Sequence, residues 1–339
     1  MRILVIMDPG IPIPPPLYGG HERLVDMFVK EYINKGHDVS LLAGPDSKSP
    51  GKTFHFGIND LKRSKWQKIK EVMYAWRFLI RRRNDFDLIH NFGRLAYLLP
   101  IINTKQTKLM TYGREVSQRG IRLTNLLPNN KLTFTGCSDY CVSTGNIAGS
   151  WKTVYNAIDF SKYEFQDQVE ENAPLMFLGR MDKIKGLHHA IDVALATHNK
   201  LWIGGNIPNT PDNLRYYEQV IKPRIDGQQI IYLGALDDCA KNTYLGKSKG
   251  LLFPIEWDEP FGMVMVEAMA CGTPVIAFKK GAVPEVIKES INGLVVNNIV
   301  EMIYAIKKLP SLSRRTCRDD AFKRFDTKVI AEAYLKLHS

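Results

Sequence analysis

Two carboxylates with seven residues between them, Glu259 and Glu267, lie in the stretch Pro254-Ile255-Glu256-Trp257-Asp258-Glu259-Pro260-Phe261-Gly262-Met263-Val264-Met265-Val266-Glu267. An apolar run, Leu251 to Phe253, precedes it, and Gly272 with Pro274 stops a helix of about two to three turns that begins near Phe261. Glu259 therefore belongs to a loop above a strand end and Glu267 to a helix body. The helix start near Gly262 offers unpaired backbone N–H groups and a positive dipole end, which suits a phosphate, and glycine lets a ligand approach the backbone closely. A carboxylate beside that point can accept hydrogen bonds from sugar hydroxyls, and one further along the helix can accept them from ribose hydroxyls. Residue types alone leave a plainer reading open, in which both acids are solvated and Glu259 merely complements the helix dipole.

A second constellation is Leu178-Gly179-Arg180-Met181-Asp182-Lys183-Ile184-Lys185-Gly186. Breaking a sugar–diphosphate bond puts negative charge on the leaving group, and fixed cations aimed there stabilise the transition state more than the ground state. Arg180 can fork onto phosphate oxygens, Lys185 can act as a point charge, and Lys183 is a weaker candidate. The alternative is a basic, solvated turn. The third is the loop Pro14-Pro15-Pro16-Leu17-Tyr18-Gly19-Gly20, where two glycines before a helix can bring N–H groups against a phosphate. The three-glycine dinucleotide spacing is absent, and Gly-Gly by itself also fits a plain turn.

The segment EPFGMVMVEAMACGTPVIA, followed by Gly281-Ala282-Val283-Pro284-Glu285-Val286, resembles the signature of the family 4 retaining glycosyltransferases. The resemblance implies that Glu259 contacts the donor sugar, that Glu267 binds the ribose, and that backbone near Phe261, Gly262 and Met263 meets sugar and phosphate. It implies that Arg180 and Lys185 hold the diphosphate, so that Glu259, Arg180 and Lys185 form the catalytic set. It also implies that Gly19 and Gly20, followed by His21-Glu22-Arg23, face the donor phosphates across a cleft. Apart from the resemblance, the stretch Leu233 to Leu236 is a candidate for the base contact, through Leu233. Many relatives carry a histidine at a strand end of the first domain, close to the reacting sugar. Here Leu109-Met110-Thr111-Tyr112-Gly113-Arg114 stands in that place, which leaves Tyr112 and the nearby His90 as candidates for the sugar or acceptor pocket.

These residues need elements to hold them. Arg2 to Met7, Asp38 to Ala43, Asp87 to His90, Lys108 to Tyr112, Leu132 to Thr135 and Thr153 to Tyr155 read as strands, with helices over His21 to Lys35 and Trp66 to Arg83. A polar, acidic stretch from Gln166 to Asn172 looks like a linker. Beyond it, Leu175 to Leu178, Leu201 to Ile203, Ile230 to Leu233, Leu251 to Phe253, Val275 to Phe278 and Leu294 to Val296 continue the alternation. Two strand–helix series predict an α/β protein with two doubly wound parallel sheets, whose ligands bind at the carboxyl ends of the strands. With the resemblance this becomes the GT-B architecture of two Rossmann-like domains facing a central cleft. The predicted divisions are an acceptor-side domain over 1–157, a nucleotide-sugar domain over 158–322, and a last helix over 323–339 that crosses back to the first.

The 339 residues suit two domains of roughly 150. A net charge of +11 suits a polyanionic partner. No recognised nucleic-acid module appears, so nucleic acid is not an expected partner. The five cysteines are odd in number and lack paired CxxC spacing, which predicts free thiols. No stretch approaches ~18 apolar residues, which predicts a cytoplasmic protein. On the helix from Trp66, apolar Trp66, Ile69, Met73, Trp76 and Ile80 share one face. That face is expected to pack on the sheet, although with its basic neighbours it also fits an anionic membrane at the inner face. The resulting expectation is transfer of a hexose from a UDP-, GDP- or other nucleoside diphosphate sugar to a glycan, lipid-linked or small-molecule acceptor. Retention of configuration, no cofactor and no obligatory metal complete it. A sugar-nucleotide epimerase of the same fold and a non-catalytic sugar-nucleotide binder remain as alternatives.

Overall fold

The computed structural model describes every residue except 17–18, 115, 117, 128–130, 146–147 and 339. In chain order the strands are β1 (Arg2–Ile6), β2 (Asp38–Ala43), β3 (Lys52–His55), β4 (Leu88–Asn91), β5 (Thr107–Tyr112), β6 (Leu132–Gly136), β7 (Trp151–Thr153), β8 (Leu175–Leu178), β9 (Leu201–Gly204), β10 (Ile230–Gly234), β11 (Gly250–Phe253), β12 (Val275–Phe278) and β13 (Gly293–Val296). The α-helices are α1 (Gly20–Asn34), α2 (Lys65–Arg82), α3 (Gln118–Asn125), α4 (Asp139–Gly145), α5 (Leu187–Ala196), α6 (Pro211–Tyr216), α7 (Asp238–Lys247), α8 (Met263–Ala270), α9 (Val283–Val286), α10 (Ile299–Ile306), α11 (Arg314–Phe325) and α12 (Thr327–Lys336).

The chain forms two compact units, Met1–Ala157 with Thr327–Ser339, and Ile158–Asp326. The first is built on a seven-stranded sheet in the order β3-β2-β1-β4-β5-β6-β7, and the second on a six-stranded sheet in the order β10-β9-β8-β11-β12-β13. All neighbouring strands are parallel. Parallel strands covered on both faces need continuous apolar runs rather than alternation. Ile3 to Ile6, Leu251 to Phe253 and Val275 to Phe278 supply them and are buried. In each sheet the strand order reverses beside one strand, β1 between β2 and β4, and β8 between β9 and β11. Such a switch point opens a crevice at the carboxyl ends, because the chain leaves neighbouring strands in opposite directions. The loops after β8 and β11 carry Arg180 to Lys185 and Glu259, and the loop after β1 carries Gly19.

Within the first unit, α12 packs on α1: Tyr334 meets Phe28 edge to face at 5.3 Å and Glu332 pairs with Lys35 at 3.1 Å. Four readings of the sequence need correction. The edge strand β3 goes unanticipated, because Lys52 to His55 is half-exposed and lacks the continuous apolar run of its neighbours. Strand β7 lies two residues earlier than Thr153 to Tyr155, at Trp151–Thr153. The segment from Gln166 does not link the units. The buried Arg314 guanidinium donates to the Gln166 carbonyl at 2.7 Å, and the Gln166 N–H donates to the Cys271 carbonyl at 3.1 Å, all inside the second unit.

The fourth correction concerns α2. A capping box between Ser64 and Gln67 starts it, and its buried residues are Glu71, Ala75, Phe78 and Leu79. The face expected inside points outward instead, with Trp66 74 % and Met73 62 % exposed and Ile69, Trp76 and Ile80 exposed as well. Helical spacing puts the two sets on opposite sides, about 100° per residue. Glu71 can lie inward because Arg63 and Arg94 approach its carboxylate at 3.4 and 3.2 Å. All five cysteines are free thiols, four of them buried. No helix among the described residues is long and apolar enough to cross a membrane.

Candidate functional site

The carboxyl ends of β8 and β11 bring Lys185 and Glu259 together across 74 residues of sequence. Lys185 Nζ donates to Glu259 Oε2 at 2.7 Å, and Trp257 Nε1 donates to the same oxygen at 3.0 Å. The ammonium also sits over the Trp257 ring, 5.4 Å from its centroid. Glycines make this approach feasible. Gly186 has φ +72°, and a Cβ there would lie 1.9 Å from the Pro254 carbonyl oxygen. Only glycine lets the Lys183–Lys185 turn lie flat on the loop after β11, where the Glu256 N–H then donates to the Ile184 carbonyl at 2.9 Å. Gly281, φ +50°, leaves no room for a side chain against the Glu259 backbone, while the Ala282 N–H donates to the Glu259 carbonyl at 2.8 Å.

Gly262 precedes α8 in the left-handed conformation, φ +83°. The helix closes on Cys271 and left-handed Gly272, where Gly272 and Thr273 N–H groups cap the carbonyls of Met269 and Ala268. Its start thus presents first-turn N–H groups beside Glu259. Phe261 is buried and meets Phe325 edge to face at 5.5 Å, so its ring belongs to the core and only its backbone can meet a ligand. Met263 is half-buried.

Glu267 lies in the body of α8. Lys241 of α7 donates to its Oε1 at 2.7 Å and the Tyr163 hydroxyl donates to the same oxygen at 3.1 Å. Burial opposes the charge on Lys241, but Glu267 and then Asp238 outweigh it and hold its pKa above the ordinary lysine value. Burial and the Glu267 charge push the Tyr163 phenol well up, so it stays a donor. Both bonds fall on Oε1, and Oε2 has no partner among the described residues. Arg180 is 46 % exposed and pairs with the buried Asp182 at 2.7 Å, which uses one of its terminal nitrogens. Leu233 is half-buried near the end of the edge strand β10. A cavity of about 710 Å³ lined by Asn172, Pro174, Lys200, Trp202 and Ile231 lies elsewhere, at the amino ends of β8, β9 and β10. That end of a doubly wound sheet has no switch-point crevice, so the cavity is not the site.

An acidic pair, a cationic loop and a helix start are gathered at one switch point, and the chain resembles known proteins with that arrangement of elements. Residues 173–311 match the family model described as glycosyl transferases group 1. The match lies within the second unit. Over 345 aligned residues it is 23 % identical to a putative glycosyltransferase, YtcC, of Bacillus subtilis, covering 88 % of this chain and 80 % of the relative. Its fold is that of GT-B glycosyltransferase structures. Sucrose-phosphate synthase from Thermosynechococcus elongatus superposes with a TM-score of 0.76 at 18 % identity, covering 99 % of this chain and 98 % of the other. The Anabaena protein HepE, solved in complex with UDP and glucose, superposes with a TM-score of 0.72 at 19 % identity over the same shares.

In the first unit Gly19 caps α1, and a Cβ there would meet Pro15 at 2.7 Å, whereas Gly20 faces open space. Leu17 and Tyr18 of that loop lie outside the described residues. His90 does not fit a sugar contact. It is fully buried between Phe92 and Tyr334, its Nδ1 3.0 Å from the Tyr32 hydroxyl and its Nε2 2.9 Å from Thr111 Oγ1. Burial, with a smaller contribution from His21, lowers its pKa to about 3, so the ring is a neutral core group. Tyr112 is half-buried at the end of β5, its ring 6.0 Å from that of Trp151. Beside it stands a residue that motif reasoning passed over. The His21 ring, in the first turn of α1, lies 3.6 Å from where a Gly113 side chain would begin. Burial, aided by Arg114 and opposed by Asp8, lowers its pKa to about 4. The residues around the candidate site to which the sequence assigns no role are therefore Trp257, Lys241, Tyr163 and His21.

Proposed function

We propose that the chain is a family 4 glycosyltransferase that transfers a hexose from a nucleoside diphosphate sugar with retention of anomeric configuration and without an obligatory metal. The observation that carries this reading is the 2.7 Å pair between Lys185 and Glu259 beside the start of α8. Unliganded, each neutralises the other. A lysine has three donor positions, so Lys185 can keep Glu259 and still donate twice to a diphosphate, while Glu259 can accept from sugar hydroxyls. Arg180 adds a fork of donors, and first-turn N–H groups at Gly262 and Met263 add fixed dipoles. As the sugar–phosphate bond breaks, charge grows on the leaving oxygens where Lys185 and Arg180 are fixed, and the barrier falls. The acceptor hydroxyl then attacks the anomeric carbon from the face the nucleotide leaves and gives up its proton to the departing phosphate oxygen. Glu267, its Oε1 held by Lys241 and Tyr163, turns Oε2 to the ribose diol.

The acceptor is a glycan or lipid-linked molecule presented at the inner face of an anionic membrane. The outward face of α2 supports this: Trp66, Ile69, Met73 and Ile80 form its centre, and exposed Lys65, Lys70, Arg77 and Arg81 flank it. An apolar stripe between basic borders is the pattern of a helix lying in the headgroup region.

Incubation with UDP-, GDP- and ADP-hexoses, with chelator present and nucleotide release measured, tests the reading. A UDP-sugar is the first donor to try. Release of nucleotide with product of unchanged anomeric configuration is expected. Donor interconversion without release would point to an epimerase. Binding without release, or complete loss of activity with chelator, would also overturn the reading.

A further inference from the structure

We propose that His188, His189 and Glu256 form a site for a divalent transition-metal ion, best suited to zinc, outside the donor-binding residues. The two histidines open α5, and Glu256 lies in the loop after β11. Their ligand atoms lie within 4.8 Å of one another. His189 Nε2 is 3.0 Å and His188 Nε2 is 3.5 Å from Glu256 Oε1. Ligands about 2.0–2.1 Å from a tetrahedral ion are roughly 3.3 Å apart, so the observed separations bracket the required edge. Two imidazoles and one carboxylate leave a fourth position for water, and imidazole donors select zinc, nickel or copper over magnesium or calcium.

An outer partner is also in place. The Tyr216 hydroxyl lies 2.9 Å from His188 Nδ1 and accepts from the His188 backbone N–H at 3.2 Å. With the ion on Nε2, Nδ1 carries the proton and donates to that oxygen, which fixes ring and tautomer. Without the ion, His189 Nε2 is within hydrogen-bond distance of Glu256 Oε1 at 3.0 Å, and His188 Nε2 stands 3.5 Å from the same oxygen. Metal and protons therefore compete for the same atoms. The positive end of α5 opposes a cation, but at half-exposed positions this is a weak, screened effect.

The site joins the two segments that deliver the donor-binding pair. His188 follows Lys185 by three residues and Glu256 precedes Glu259 by three. A bound ion would tie these segments together as a structural clip, with no part in the transfer step itself.

Calorimetric titration of the full chain, stripped with chelator, tests the site without reference to activity. One zinc ion per chain should bind, with no heat from magnesium. The pair H188Q/H189Q should weaken zinc binding by more than the 10- to 100-fold that loss of an outer partner costs, and Y216F by about tenfold. If the histidine pair fails to fold, E256Q, at an exposed position, carries the test in its place. Zinc binding unchanged in folded E256Q or in H188Q/H189Q, or no zinc binding to the wild-type chain, would overturn the proposal.

Discussion

At the scale of single residues, Glu259 and Glu267 differ in what holds them. Glu259 is anchored by Lys185 and by Trp257 of its own loop, and its backbone by Ala282. Glu267 is anchored by Lys241, 26 residues away, and by Tyr163, 104 residues away. The acids themselves are legible in sequence because a helix stop and a loop fix their spacing. Their partners are not, because neither Lys241 nor Tyr163 belongs to any motif, and only the packing of α7 and of the segment after Phe160 brings them in. A consequence follows for Lys241→Met. Removing one of two donors leaves a largely buried carboxylate short of a charge-assisted bond, a loss of about 1.5–3 kcal/mol. Nucleotide affinity, read by calorimetry, should fall by about tenfold or more, and Tyr163→Phe should weaken it less. His21 illustrates the other limit. As one residue of a Gly-Gly-x-Glu-Arg run it carries no signal, and only the fold sets it beside Gly113.

At the scale of elements, the strands were readable because buried parallel strands are short apolar runs between turn residues. The exceptions, β3 and β7, are edge strands whose residues are half-exposed. Helix α2 was readable as a helix but not in its orientation. Its most regular apolar spacing, Trp66, Ile69, Met73, Trp76, Ile80, faces outward, and a buried glutamate marks the inner side only because two arginines from outside the helix reach it. Replacing Trp66 and Met73 together by glutamate should abolish co-sedimentation with vesicles rich in anionic lipid. The melting temperature should stay within a few degrees, since neither side chain supports the core. Unchanged sedimentation would remove the membrane role of α2. Gly186→Ala should act in the opposite way. The left-handed backbone alone costs about 1–2 kcal/mol with a Cβ, and the contact with the Pro254 carbonyl adds to it. Stability and turnover should fall together, measured by thermal melting and nucleotide release.

At the scale of the whole molecule, composition and alternation indicate two α/β units, and the structure adds that the last helix returns to the first. The first unit also has a pH signature. His90 and His21 have their pKa lowered from the ordinary 6.5 to about 3 and about 4, so the unfolded chain takes up protons that the folded chain refuses. Stability contributed by the neutral rings is complete above about pH 6.5 and is lost as pH falls, towards about 4 for His21 and about 3 for His90. The slope is at most about 1.4 kcal/mol per pH unit for each ring. Melting curves between pH 7.5 and 4 should show this decline, and His90→Asn should flatten it. In the second unit, two loops at one switch point bring Glu259 and Glu267 to the end of the sheet where the proposed function puts the donor. Nucleotide release measured against donor concentration for the wild type, Glu259→Gln and Glu267→Gln tests that placement most directly. Glu267→Gln should raise KM with kcat nearly kept, and Glu259→Gln should lower kcat by roughly 100-fold. Wild-type kinetics in both variants would contradict it.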